Sequence, residues 1–351
     1  MRLINTQTLA LELFPDPGPA DIPYAILSHT WSDDEVSFED MQDLSIARIK
    51  KGFLKIEATC KHAIDNGLQY AWVDTCCIDQ SSSAELSEAI NSMFRWYKNA
   101  VVCYAFLSDL PASSQYGASD ELRKFRWFTR GWTLQELIAP ATLVFFDQEW
   151  NLRGMKEDLG KEIEAITGID EWVLNGSTPL STIPLAKRMS WAAGRNTTRV
   201  EDVAYCLLGI FDVNMPMIYG EGSRAFVRLQ EEILKKTTDL SLFAWQSTDI
   251  HTENRSILAN SPDEFLGYGD IVSSDDQFRF RDEISMTNKG VKINTPLQHF
   301  SGGVYILDLH CYRQKTNGTL TRIAIYLKRA LDIYFRYWPH TTAPAATVPG
   351  G

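Results

Sequence analysis

Four short apolar segments set apart by helical patterns constrain this chain most: Tyr24–Ser28, Tyr70–Asp74, Val101–Leu107 and Leu143–Phe146. Runs of that length and character are expected for strands buried on both faces. Between the first two, Phe53, Ile56, Cys60, Ala63 and Ile64 recur at helical spacing, and Asn66-Gly67 supplies the stop. Between the second and third, Ser82-Ser83-Ala84-Glu85 reads as a capping box ahead of Ile90, Met93, Phe94 and Tyr97. Strands alternating with crossover-length helices predict an α/β fold, an open parallel sheet with flanking helices. Ile26, Val73 and Val102 are expected in its core. Such sheets bind ligands beyond the carboxyl ends of their strands. The loops there, Ser28–Trp31, Thr75–Gln80 and Ser108 onward, are where polar and aromatic residues collect.

The last of those loops leads into Phe125–Pro140, which packs two Trp, two Phe and two Arg ahead of Glu136. Gly131 permits a turn, Trp132–Ile138 reads as the first turns of a helix, and Pro140 stops it. Leu134, Leu137 and Ile138 would face a core and Glu136 would not. A first-turn carboxylate is favoured by the helix dipole and is expected to stay ionised, either as a plain helix-start charge or as an electrostatic catalyst. Arg130 could pair with Glu136, pin Asp74 or hold a phosphate; the spacing does not choose. Trp31 and Trp132 are expected to meet a ligand, whereas Trp72, Trp96 and Trp127 are expected in the core. A Cys77 nucleophile with His29 as base is a third reading.

From about residue 155 the pattern turns helical, with Val203, Leu207 and Ile210 marking one helix and Phe226, Leu229 and Ile233 another. Gly220-Glu-Gly222 lacks the third glycine and the preceding strand of a phosphate cradle and reads as a helix-start turn. After 240, Gly290–Asn294, Val304–His310 and Arg322–Leu327 suggest a small antiparallel sheet with a turn at Asn317-Gly318. The expected division is 1–150 for the α/β domain, 151–240 for a helical extension packed on it, 241–340 for a β-rich region and 341–351 for a loose tail. Residues 1–23, with Pro15, Pro17, Pro19 and Pro23, are expected to be irregular.

Seventeen Phe, 13 Tyr and 10 Trp among 351 residues are ample for a core, and a net charge of −11 argues against nucleic acid as the partner. No apolar run approaches membrane-spanning length, and Met1–Phe14 has no signal-peptide pattern, so a cytoplasmic protein is expected. Six Cys with only Cys76 and Cys77 adjacent suggest reduced thiols, and no Cys/His spacing suits a metal.

Taken together, Tyr24-Ala-Ile-Leu-Ser-His-Thr-Trp31, Trp72-Val-Asp-Thr-Cys-Cys-Ile-Asp-Gln80, Ser83–Met93, Trp96-Tyr97 and Arg130-Gly-Trp-Thr-Leu-Gln-Glu136 resemble the HET (heterokaryon incompatibility) domain of filamentous fungi. Met189–Ala192, Arg199–Asp202, Tyr219–Gly222 and Leu242–Trp245 resemble the region that follows it in the incompatibility-protein subgroup. The resemblance implies non-self recognition ending in programmed cell death, with an incompatibility partner protein. HET domains are distantly similar to TIR domains, which implies a TIR/flavodoxin-like sheet and activity that depends on self-association into a homo-oligomer. In TIR enzymes a Trp-Cys-x-x-Glu carboxylate cleaves NAD+; here Trp132-Thr-Leu-Gln-Glu136 keeps the spacing with Thr133 for the Cys. The resemblance therefore implies Glu136 as catalytic residue, NAD+ as substrate with no further cofactor or metal, and Ser28, His29, Trp31, Asp74, Cys77, Gln80, Arg130, Trp132 and Gln135 around the substrate. The contrasting expectation is a non-enzymatic module that self-associates through the same surface.

Overall fold

The computed structural model describes residues 1–15, 22–112, 122–273 and 283–343. The chain divides into two compact units. One comprises Met1–Thr178 with Arg195–Thr197 and Cys206–Met217, the other Pro179–Gly194 with Thr198–Tyr205 and Ile218–Gly351.

The first unit is built on a seven-stranded sheet. Its parallel centre consists of β3 (Tyr24–His29), β4 (Tyr70–Trp72), β5 (Val102–Phe106) and β6 (Leu143–Phe146). Ile26 sits in register with Trp72 on one side and Cys103 on the other, and Cys103 with Leu143. Ile26, Val73 and Val102 are buried, as two-faced burial of apolar runs requires. The edges are antiparallel: β1 (Arg2–Asn5) pairs β4 and carries β2 (Leu11–Leu13) outside it, and β7 (Leu152–Met155) closes the far side. The lead-in is thus not irregular up to Phe14. Leu3 and Ile4 are buried against the sheet, and the prolines fall after the hairpin, where Pro17 and Pro19 lie outside the described residues.

Helices follow the strands in order: α1 (Leu44–Ala47), α2 (Phe53–Asp65), α3 (Asp74–Cys77), α4 (Ser83–Asn99), α5 (Arg126–Thr129) and α6 (Thr133–Ile138). Asn66 and Gly67, the latter at φ +72°, end α2 as the sequence requires. Half of the capping box forms at α4. Ser82 Oγ accepts from Glu85 N at 3.3 Å, but the Glu85 carboxylate turns to Asp79 N (2.9 Å) and Arg2. Asp74 ends the second strand earlier than expected and opens α3.

In the second unit α7 (Leu185–Ser190), α8 (Asp202–Tyr205) and α9 (Arg224–Leu234) precede the β-rich part. Phe226, Leu229 and Ile233 are buried along α9 as their spacing predicts. The expected helix through Val203, Leu207 and Ile210 is cut to one turn, Asp202–Tyr205, and the division between the two units falls at Cys206. The Gly220 and Gly222 N–H groups both donate to Glu201 Oε1, at 2.8 and 3.0 Å, so this Gly-x-Gly turn is closed by the protein's own carboxylate. The antiparallel sheet is organised around the hairpin of β8 (Val304–Gln314) and β9 (Leu320–Ala330), with Gly318 at φ +80° in its turn. Of the expected loose tail, residues 344–351 lie outside the described residues.

Candidate functional site

Strand β3 lies between β4 and β5, so chain order reverses between β3 and β5, and the carboxyl ends of these strands border the place where such sheets hold ligands. Ser28 and His29 end β3, Asp74 follows β4, and α6 carries Glu136 to the same edge.

All six residues of α6 are buried, Glu136 included at 5% exposure. Its carboxyl is held from two sides. Ser28 Oγ donates to Oε2, Trp127 Nε1 donates to Ser28 Oγ at 2.7 Å, and the Tyr97 hydroxyl bonds the carboxyl while lying 3.0 Å from the Leu27 carbonyl. Burial, the largest influence, raises the Glu136 pKa to about 8. The Ser28 bond opposes the shift, the charge of Asp74 adds to it, and Tyr97 and Arg130 oppose it. The expected ionised first-turn carboxylate therefore gives way to one that is mostly protonated at neutral pH. A short helix contributes only about 0.3–1 kcal/mol to a first-turn charge, whereas enclosure of a carboxylate shifts its pKa by several units. Protonated, Glu136 completes an unbroken series of donors and acceptors from Trp127 through Ser28 and Tyr97 to the Leu27 carbonyl.

On the neighbouring loop, Trp31 Nε1 donates to Asp74 Oδ2 at 2.7 Å. Burial, the largest influence, raises Asp74 to about 6; the Trp31 bond opposes the shift and the Glu35 charge adds to it. The influence between the acids runs one way, from Asp74 to Glu136, because Asp74 ionises first and is already charged when Glu136 loses its proton. His29 is enclosed, and burial followed by the Lys55 charge holds its pKa well below the ordinary range, so its ring is neutral. Its Nε2 lies 3.8 Å from both Glu35 Oε2 and Asp74 Oδ1. Among the described residues no group of three or more His, Cys, Asp or Glu is arranged to hold a metal ion.

Trp31 is 47% exposed and lines a cavity of about 400 Å³ with Glu35, Phe38, Thr75, Asp79 and Gln80. That volume lies in the range of small-molecule sites. The remaining expected residues are spread more widely. Trp132 is half-buried at the start of α6, and Arg130 acts on Glu136 through its charge. Gln135 is turned into the core, with Nε2 3.2 Å from Met93 Sδ. Cys77 is buried with its sulfur accepting from Val73 N at 3.4 Å. Neither nitrogen of His29 has a hydrogen-bond partner among the described residues, so the Cys77–His29 pair of the hydrolase reading is not formed. Gly131 has ordinary φ and is required for close approach rather than for a turn. A Cβ there would meet Thr197 Cγ2 at 2.6 Å and Cys206 Sγ at 3.2 Å.

Five residues of the site escape sequence reasoning. Tyr97 and Trp127 look like core aromatics because their rings are core and only the polar tips reach the site. Glu35 and Lys55 pair across the chain from an acidic loop and a helix. Arg195 Nη1 reaches the Arg130 carbonyl (2.8 Å) and Thr133 Oγ1 (3.3 Å), tying a distant segment to the start of α6. No local pattern announces contacts of such sequence separation.

A family model described as heterokaryon incompatibility protein (HET) matches residues 24–124, the span that supplies Ser28, His29, Trp31, Asp74 and Tyr97. Over that span the chain is similar to HET domains. Glu136 lies beyond the end of that match. Over 221 residues the chain is 50% identical to vegetative incompatibility protein HET-E-1 of Podospora anserina, which covers 61% of this chain and 16% of that protein. The chain thus spans a small part of the curated relative's length. A model described as a domain of unknown function (DUF8212) matches residues 224–265. No solved structure matches the chain. No helix among its described residues is long and apolar enough to cross a membrane.

Proposed function

We propose that this chain is a cytoplasmic heterokaryon-incompatibility effector that cleaves NAD+ at the nicotinamide–ribose bond through Glu136 and thereby triggers cell death. The observation that carries this reading is a buried carboxyl, held by Ser28 and Tyr97 with its pKa near 8, at the strand-order reversal of a parallel sheet. Buried side chains with perturbed pKa at such a place are the usual mark of reaction chemistry. The parallel strands, taken in chain order, lie 2-1-3-4, which supports a flavodoxin-like and TIR-like reading of the domain.

Breaking the nicotinamide–ribose bond passes through an oxocarbenium-like state, which an ionised carboxylate stabilises. The positive pyridinium ring of NAD+ placed beside Glu136 draws its pKa down. The free protein thus keeps the acid protonated and the bound substrate generates the charge that the transition state needs. Nicotinamide leaves as a neutral molecule, so no acid is required for its departure. Trp31, fixed by Asp74 and half exposed, offers a face for stacking.

Purified protein incubated with NAD+ should release free nicotinamide, and the Glu136→Gln variant should not. Absence of release over a broad range of protein concentrations would refute the enzymatic reading. A non-enzymatic, self-associating module is favoured by one observation, the exposed Ile46, Ile49 and Leu54 in the first unit. On that reading Glu136→Gln retains full toxicity when overexpressed.

A further inference from the structure

Asp74, whose charge reaches Glu136, forms a cluster with Glu35 and His29 at the ends of the parallel strands. Asp74 is oriented by Trp31 through Oδ2, leaving buried Oδ1 without a hydrogen-bond partner. Glu35 is oriented through Oε1 by Lys55 and by Ser32, whose N and Oγ lie at 2.7 and 2.9 Å, leaving Oε2 toward His29. The enclosed imidazole lies 3.8 Å from Asp74 Oδ1 and from Glu35 Oε2, and neither of its nitrogens has a hydrogen-bond partner among the described residues. That separation is too long for a direct hydrogen bond and is of a length that one water oxygen can bridge. Trp31, Ser32 and Lys55 orient the two carboxylates in advance and burial encloses the imidazole, which suits positioning of a reactant.

Resting on the NAD+-cleaving reading, we propose that His29, Asp74 and Glu35 seat the water that attacks the ribosyl cation, with Asp74 as the base. The C1′–N bond breaks and its electron pair leaves with nicotinamide. The water oxygen then bonds C1′ while one of its protons passes to Asp74 Oδ1 and on to solvent. The balance is NAD+ and water to ADP-ribose, nicotinamide and one proton. Asp74, with a pKa near 6, is ionised at neutral pH and poised for that transfer. His29, neutral and enclosed, is a positioning residue that orients the water without competing for its proton.

The assay offers a second acceptor: NAD+ is supplied with excess 3-acetylpyridine, which can capture the same ribosyl cation without a base. Wild type should form mainly ADP-ribose. Asp74→Asn and His29→Gln should each shift the ratio of pyridine-exchange product to ADP-ribose upward by at least about tenfold, with nicotinamide release reduced less than hydrolysis. Glu136→Gln should instead lose both products together. Wild-type partition in folded Asp74→Asn and His29→Gln proteins would overturn the inference while leaving the NAD+ reading intact. No nicotinamide release by wild type would overturn both. Two independent variants keep the test decisive should one of them fail to fold.

Discussion

Glu136→Gln should inactivate this protein and at the same time stabilise it, in a pH-dependent way. The amide keeps the geometry, since its oxygen can accept from Ser28 and its NH2 can donate to Tyr97. It removes only the ionisable proton. In the wild type the folded pKa is raised from 4.5 to about 8, chiefly by burial. The native state therefore binds the proton more tightly than the unfolded chain. The stabilisation from this group is complete below the unfolded pKa and is lost as pH rises through about 8. At about 1.4 kcal/mol per unit the loss approaches roughly 4–5 kcal/mol at the alkaline end, of which about 2–3 kcal/mol falls between about pH 5 and pH 7. The opposing helix-dipole contribution is only about 0.3–1 kcal/mol. Denaturant unfolding of both proteins at acidic, neutral and mildly alkaline pH should give near-equal stabilities at the acid end and a variant that gains steadily toward the alkaline end. Nicotinamide release should fall by about two to three decades, the usual cost of removing one transition-state charge contact. A difference in stability that is flat with pH would refute the buried, proton-holding carboxyl. Retained activity would refute its catalytic role.

Other outcomes follow from the same geometry. Cys77→Ser should leave nicotinamide release largely intact, because the sulfur is engaged with Val73 N and not with His29; loss of release would revive the cysteine mechanism. Gly131→Ala should destabilise by about 1–3 kcal/mol, since its Cβ would clash with Thr197 Cγ2, and thermal unfolding should show partial rescue by Thr197→Ser. By the TIR resemblance, specific activity should rise with protein concentration as self-association completes the site; a flat profile with concentration would count against it.

The parallel centre of the fold was legible because Tyr24–Ser28, Val101–Leu107 and Leu143–Phe146 are predominantly apolar, and a segment buried on both faces has few other ways to satisfy its backbone. Gly67 and Gly318 were legible for a local reason as well, since each supplies the positive φ that a helix end and a hairpin turn demand. The hairpin β1–β2 was not, because its strands are short and its burial depends on the β4 edge that it joins. Nor was the break after Tyr205, which falls within an unbroken helical period.

For the site, the strand-end loops and the family resemblance pointed to Glu136, Ser28, His29, Asp74 and Trp31, and the fold places Ser28, His29 and Asp74 at the carboxyl ends of neighbouring strands with Glu136 bonded to Ser28. Their protonation states were beyond reach. A pKa depends on what encloses a group and which charges stand within a few ångströms, and here those neighbours come from segments far apart in the chain. The sequence alone determined which carboxylate stands at the start of which helix. Only the tertiary structure, by closing Tyr97, Ser28 and Trp127 around it, decided that this carboxylate holds its proton.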